Sequence, residues 1–180
     1  MRQADLPANL RHWLLEIGSL TERLRNVCPG RIAVKVLCQQ WARPLPSEAR
    51  VLGLTSCVRA WTREVQLVCD DQAWVFARTL IPRSTLRGPS QRLKRLGNRP
   101  LGEVLFAERA IQRAEVEVSH ITTSHYLHRR AFGDAVERPD PLWGRRSVFY
   151  IAGRPLLVCE IFLPELPTSA LADQTDALRP

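Results

Sequence analysis

Between Trp61 and Pro82 the chain reads WTREVQLVCDDQAWVFARTLIP. Two runs rich in Val, Leu, Trp and Phe flank Asp70-Asp71-Gln72, a pattern that predicts a β-hairpin crossing one face of a sheet. Strand alternation puts Trp61, Arg63, Val65 and Leu67 on one side and Thr62, Glu64, Gln66 and Val68 on the other. Arg63 therefore falls on the apolar side, where an unpaired guanidinium costs roughly several kcal/mol and so calls for an anion. A second strand near the end of the chain matches it. Leu156, Val158, Glu160 and Phe162 share one face, Leu157, Cys159, Ile161 and Leu163 the other, and Glu160 is polar among apolar neighbours. Two readings stay open: an internal Arg63–Glu160 ion pair, or a guanidinium and a carboxylate held for a polar ligand.

The rest of the chain bounds what surrounds that pair. At 180 residues and 45% hydrophobic content it can bury the core of one domain. It contains no apolar run of 18 or more residues, and its start, MRQADLPANLRHWLL, lacks the order of a secretory leader; both point to the cytoplasm, with no membrane span. The net charge of +8 is spread along the chain, without helix-turn-helix or zinc-finger spacing or an aromatic ladder. Small anionic substrates account for it better than a specific nucleic acid does. Cys28, Cys38, Cys57, Cys69 and Cys159 show no CxxC spacing and read as reduced core residues. His120, His125 and His128 match no metal-ligand spacing and read as a surface loop, so the expected metal complement is none.

Taken in order, Leu10, Trp13, Leu14, Ile17, Leu20 and Leu24 recur at helical spacing over residues 9–27. Gly18-Ser19 divides them into two helices, with Ser19 as N-cap and Glu22 completing a capping box; free N–H groups are left near Leu20 and Thr21. Residues 31–41 alternate as a strand, and RPLPSEAR after them reads as a polar connection. In the return arm of the hairpin, Arg78 shares its alternation class with Trp74, Phe76 and Leu80, which would turn it inward, while the small Ala77 and Thr79 on the other class leave its face open. A short basic helix over 90–96 ends at Gly97, and another begins at Pro100-Leu101-Gly102, where the Leu101 amide is again a free donor. Residues 110–119 read as a strand, 120–140 as polar and irregular, and LWGRRSVFYIAGRPLLVCEIFLP as a second hairpin ending in the Glu160 strand. The expected fold class is α+β: a single domain over residues 1–166, with an antiparallel sheet of about six strands, helices packed on one face, and a flexible tail over 167–180.

Six segments, in the same order and at similar spacings, now carry a likeness: WLLEIGSLTERL, TREV, FARTLIP, LGNRPLGEVLF, LWGRRSVF and GRPLLVCEIFLP. Together they span most of residues 13–164, and the chain resembles the chorismate lyase family. That resemblance implies a cofactor-independent carbon–oxygen lyase that converts chorismate to 4-hydroxybenzoate and pyruvate, the first committed step of ubiquinone biosynthesis, and acts as a monomer. It also implies a site. Arg63 and Glu160 would be its catalytic side chains, with Leu20 and Leu101 joining them in product binding through their backbone amides. Arg78 and Arg146 are further candidates, for the enolpyruvyl carboxylate. The sequence departs from enterobacterial members at Leu20, where they carry Met, and in a longer stretch over 120–140. The fold also resembles the ligand-sensing domains of some bacterial transcription regulators, so a small-aromatic sensor is the alternative; only about 30 residues precede the first strand, which leaves little room for a DNA-binding domain ahead of it.

Overall fold

Every long apolar run in the sequence becomes a strand of one sheet. The computed structural model describes residues 6–55, 57–106, 111–132 and 141–168. In chain order its elements are α1 (Ala8–Leu14), α2 (Leu20–Val27), β1 (Ile32–Ala42), α3 (Pro46–Val51), β2 (Ala60–Cys69), β3 (Gln72–Pro82), a 3-10 helix (Gly88–Arg95), α4 (Leu101–Phe106), β4 (Gln112–Arg113), β5 (Glu117–Ile121), α5 (Tyr126–Phe132), β6 (Leu142–Ile151) and β7 (Arg154–Phe162). The strand order is β1-β2-β3-β7-β6-β4, with β5 pairing elsewhere along β6, and every pairing is antiparallel. Insertion of β7 beside β3 makes neighbours of two hairpins far apart in sequence. Arg63 lies opposite Thr79, Thr79 opposite Val158, and Ala77 opposite Glu160, so the two predicted anomalies share one face two strands apart.

The α+β class and the single antiparallel sheet are as expected, and the details differ. Among the described residues the sheet has seven strands, because residues 111–119 do not form one strand: β4 and β5 pair with different parts of β6. Helices cover both faces. On the near face, α1 and α2 bury Trp13, Leu14, Leu20 and Leu24 against Val34, Val65, Leu67 and Phe162. The 3-10 helix and α4 bury Leu93, Leu101 and Leu105 against Ile81, Phe149 and Leu156. The far face packs Phe76, Leu80, Leu157 and Ile161 against residues of α3 and α5, including Leu127 and Ala131. Each fully buried leucine contributes about 1.5–3 kcal/mol, so these clusters dictate where the short helices lie.

Other expectations need correction for physical reasons. RPLPSEAR holds α3, which starts at Pro46 with the fixed φ of proline suited to a first turn; the Glu48 carboxylate accepts from the Leu45 N–H at 2.7 Å. Residues 88–95 form a 3-10 rather than an α-helix, closed by Gly97 at φ +54°. The histidine-bearing stretch is not simply a surface loop: His120 is in β5, and α5 buries His128 completely. Residues 133–140 of that stretch and residues 169–180 of the expected tail lie outside the described residues.

The break between α1 and α2 follows the sequence. Ser19 has extended backbone angles, and its Oγ accepts from the Glu22 N–H at 3.3 Å. The far end of α2 is tied to the tip of the first hairpin, where Cys28 and Cys69, expected to be reduced, form a disulfide. A helix end and a strand end 41 residues apart give no sign of pairing until the sheet brings them together. Beside them Gly30 lies so close to Asp70 that a Cβ would fall 2.0 Å from its carboxylate oxygen, so a larger residue would displace that carboxylate, which accepts from the Arg31 N–H at 3.2 Å.

Candidate active site

The near-face helices do not meet over the middle of the sheet. Between the cluster under α1 and α2 and the cluster under the 3-10 helix and α4 lies a cavity of about 60 Å³. Its floor is sheet: Val65, Ala77, Thr79 and Val158 are apolar or small, with Arg63 and Glu160 among them. Leu20 at the start of α2 and Leu101 at the start of α4 bound it from the helix side. All four residues implied by the resemblance thus line one cavity. Its volume is far below the several hundred Å³ typical of drug-sized ligands.

Arg63 is 3% exposed. One terminal nitrogen donates to the carbonyls of Gly97, at 2.9 Å, and Arg99, at 3.1 Å, so the side chain holds down the loop that leads into α4. Its Nε is buried and has no acceptor among the described residues. Burial pushes its pKa down to about 10, the response of a cation short of anionic company. The Arg63–Glu160 ion pair considered from the sequence does not form. Glu160 instead accepts from Arg145 Nε at 2.6 Å through Oε2.

Two arginines that sequence reasoning did not select complete the site. Arg145 of β6, 3% exposed, stands directly opposite Glu160 in the sheet and also donates to the carbonyls of Trp13 and Glu16, both at 2.8 Å. Arg113 of β4 donates to Ser147 Oγ at 3.1 Å and to the carbonyls of Glu16, at 3.0 Å, and Ile17, at 2.8 Å. Its pKa is lowered, first by burial and then by the nearby charge of Arg145, with Glu160 and Glu16 pulling the other way. Both side chains reach the segment between α1 and α2. Arginines of the sheet therefore position both cavity-lining helix starts: Arg63 through the 97–99 loop, Arg113 and Arg145 through carbonyls of residues 13–17. On the surface, an Arg25–Glu103 ion pair joins α2 to α4.

The two additional sequence candidates lie elsewhere. Arg78 faces the opposite side of the sheet, where it donates to Glu48 at 2.8 and 3.2 Å and to Glu64 at 2.5 Å. Glu64 also accepts from Arg130, at 2.9 and 2.5 Å. Arg146, next in sequence to Arg145 and thus on the other face, pairs with Glu117 at 2.6 Å in a partly exposed position. Neither lines the cavity. The signal that separates Arg145 from Arg146 is alternation with Trp143, Ser147 and Phe149, but its meaning depends on the register against Glu160, which only the fold supplies. Arg113, among the charged residues of IQRAEVEV, carries no comparable signal.

An antiparallel sheet closes a small, arginine-lined cavity beneath two helical segments, and this defines the class of the fold. Solved structures share the fold: the PhnF C-terminal domain (TM-score 0.59, 13% identity, 76% of this chain and 86% of that one) and a GntR-family transcriptional regulator from Bacillus cereus (0.54, 14%, 74% and 92%). At that identity the likeness is one of fold alone. The family model for chorismate lyase matches residues 2–172. Two relatives named "probable chorismate pyruvate-lyase" are similar over most of their length: that of Methylococcus capsulatus is 44% identical over 89% of this chain and 100% of its own, and that of Aromatoleum aromaticum 45% over 91% and 90%. The chain belongs to the chorismate lyase family.

Proposed function

We propose that this protein converts chorismate to 4-hydroxybenzoate and pyruvate in the near-face cavity, supplying 4-hydroxybenzoate for ubiquinone. The observation that carries this reading is the buried Arg63, whose Nε has no partner among the described residues, set in the same small cavity as a Glu160 that engages one oxygen, Oε2, among those residues. In the reaction the ring C–O bond of the enolpyruvyl ether breaks and the ring hydrogen beside the hydroxyl departs as a proton. The enolpyruvyl group takes up a proton to leave as pyruvate, and the ring becomes aromatic. Aromatisation supplies the driving force, so the reading requires neither a metal nor an organic cofactor. The protein contributes orientation and electrostatics.

Arg63 clamps the ring carboxylate with its planar fork, which suits two carboxylate oxygens. The backbone amides of Leu20 and Leu101 are further donors to the ligand. Glu160 accepts from the ring hydroxyl at the other end and assists the proton transfer; Arg145, bonded to its Oε2, fixes the carboxylate in place. Arg78 and Arg146 have no part in this scheme. No helix among the described residues is long and apolar enough to cross a membrane, and the reading carries with it a cytoplasmic monomer. The fold likeness to transcription regulators favours a second reading, a sensor that binds a single-ring acid without turning it over.

A spectrophotometric assay for 4-hydroxybenzoate from chorismate, run with and without excess EDTA and with no added cofactor, separates the two. Turnover unaffected by EDTA is the expected result. Binding of 4-hydroxybenzoate without turnover would favour the sensor, and loss of turnover that zinc restores would remove the metal-free mechanism.

A further inference from the structure

The cavity is lined by three guanidiniums, Arg63, Arg113 and Arg145, and by one carboxylate, Glu160. The other acid close by, Glu16, is turned away: its carboxylate accepts from the Gly18 N–H at 2.7 Å and pairs with Arg23. An excess of two positive charges in so small a space suits a dianion, because a buried charge is costly unless something compensates it. 4-Hydroxybenzoate carries one carboxylate. Chorismate carries two.

The three arginines differ in how fully they are engaged. Arg145 is neutralised by Glu160 at 2.6 Å. Arg63 is given to the ring carboxylate in the reading above. Arg113 remains: Ser147 Oγ and the carbonyls of Glu16 and Ile17 fix its Nε and Nη1, while Nη2 has no acceptor among the described residues. Phe149 lies against its guanidinium, 5.2 Å away, and limits its freedom to turn. Arg113 is thus a rigidly held cation at the cavity wall, without an ion pair of its own among the described residues.

We propose that Arg113 receives the second carboxylate of the substrate, that of the enolpyruvyl ether, and so distinguishes chorismate from its aromatic product. This rests on the lyase reading. Once pyruvate departs, Arg113 has no anion, and its contact with the bound ligand is lost while that of Arg63 persists. Arg113 therefore contributes to substrate recognition and little to product affinity.

The test compares two quantities in Arg113→Gln and Arg113→Lys: kcat/KM for chorismate and the calorimetric Kd for 4-hydroxybenzoate. Arg113→Gln should lower kcat/KM at least 30-fold, chiefly through KM, and change the Kd less than threefold, with Arg113→Lys intermediate. A loss in kcat/KM that exceeds the loss in product affinity by tenfold or more supports the proposal. Any smaller ratio overturns it and leaves Arg113 as an anchor for the carbonyls of residues 16 and 17. If Arg113→Gln does not fold, an inert pair of ring acids decides. The wild type should bind 3-(carboxymethoxy)-4-hydroxybenzoate at least tenfold more tightly than 4-hydroxy-3-methoxybenzoate, and Arg113→Lys should reduce that preference; absence of either effect overturns the proposal. Failure of the wild type to turn over chorismate would count against the lyase reading alone, since the preference for a dicarboxylate does not depend on turnover.

Discussion

The two faces of the sheet each bury an arginine in apolar surroundings, and they treat it differently. On the far face Arg78 meets Glu48 and Glu64, and Glu64 in turn meets Arg130, so two guanidiniums face two carboxylates in a closed set of hydrogen bonds. On the near face, among the described residues, Arg63 has two carbonyls and an unpartnered Nε, beside a cavity in which arginines outnumber carboxylates three to one. A buried arginine is thus not in itself a sign of a binding site. The sign is a charge count that the protein leaves unbalanced next to empty space.

The largest effect expected from this contrast is on stability. Arg78→Ala leaves Glu48 and Glu64 buried without their shared cation and should cost about 3–5 kcal/mol. Urea melts measure the loss; the fraction that stays folded should still turn over chorismate at close to the normal rate, because Arg78 lies outside the cavity. On the near face, Leu101→Pro removes a backbone donor at the start of α4 while keeping an apolar side chain. It should weaken 4-hydroxybenzoate binding by roughly 1–3 kcal/mol, whereas Leu101→Met, with volume and donor retained, should bind almost normally. Calorimetry on both variants, with circular dichroism to verify folding, checks this; equal affinities would end the role given to that amide.

A smaller effect separates the faces by pH. Burial lowers Arg63 to about 10, so above that pH its cation is lost, and affinity for the anionic ligand should fall by up to about tenfold per pH unit after being flat below it. Burial acts the same way on Arg78 but is outweighed by the hydrogen bonds and charges of Glu48 and Glu64, which raise its pKa. The far-face set should therefore hold through the range in which binding declines, and titrations from pH 8 to 11 with far-ultraviolet circular dichroism in parallel would show whether it does. The smallest effect belongs to the exposed Arg25–Glu103 pair between α2 and α4. Glu103→Gln should change stability by only about 0.2–1 kcal/mol, a urea-melt difference that shrinks at high salt.

Sequence reasoning reached the near-face pair because Arg63 falls on the apolar face of an alternating strand and Glu160 is the one polar residue of a strand apolar on both faces, and both are local properties. It did not reach their partners. Arg145 and Arg113 acquire a role only through the register of β6 against β7 and of β4 against β6, which local patterns do not specify. The same limit explains Arg78. Its alternation with Trp74, Phe76 and Leu80 suggested an inward orientation that Ala77 and Thr79 left open, and the carboxylates that neutralise it were not legible: Glu48 lies in a six-residue helix hidden in a proline-rich connection, and Glu64 appears on the strand face expected to be polar. The split of the first helical stretch at Gly18-Ser19 was legible because a capping serine acts within a few residues. The Cys28–Cys69 bond was not, because its ends meet only across the fold.

The most direct test of the central claim is turnover per folded molecule in Arg63→Gln, measured by the appearance of 4-hydroxybenzoate from chorismate. The account predicts a fall of about 100-fold or more, equivalent to roughly 2.7 kcal/mol of lost transition-state stabilisation, in a protein whose urea midpoint stays close to that of the wild type. Near-normal turnover by the folded variant would mean that Arg63 is a structural residue like Arg78, and it would contradict the account.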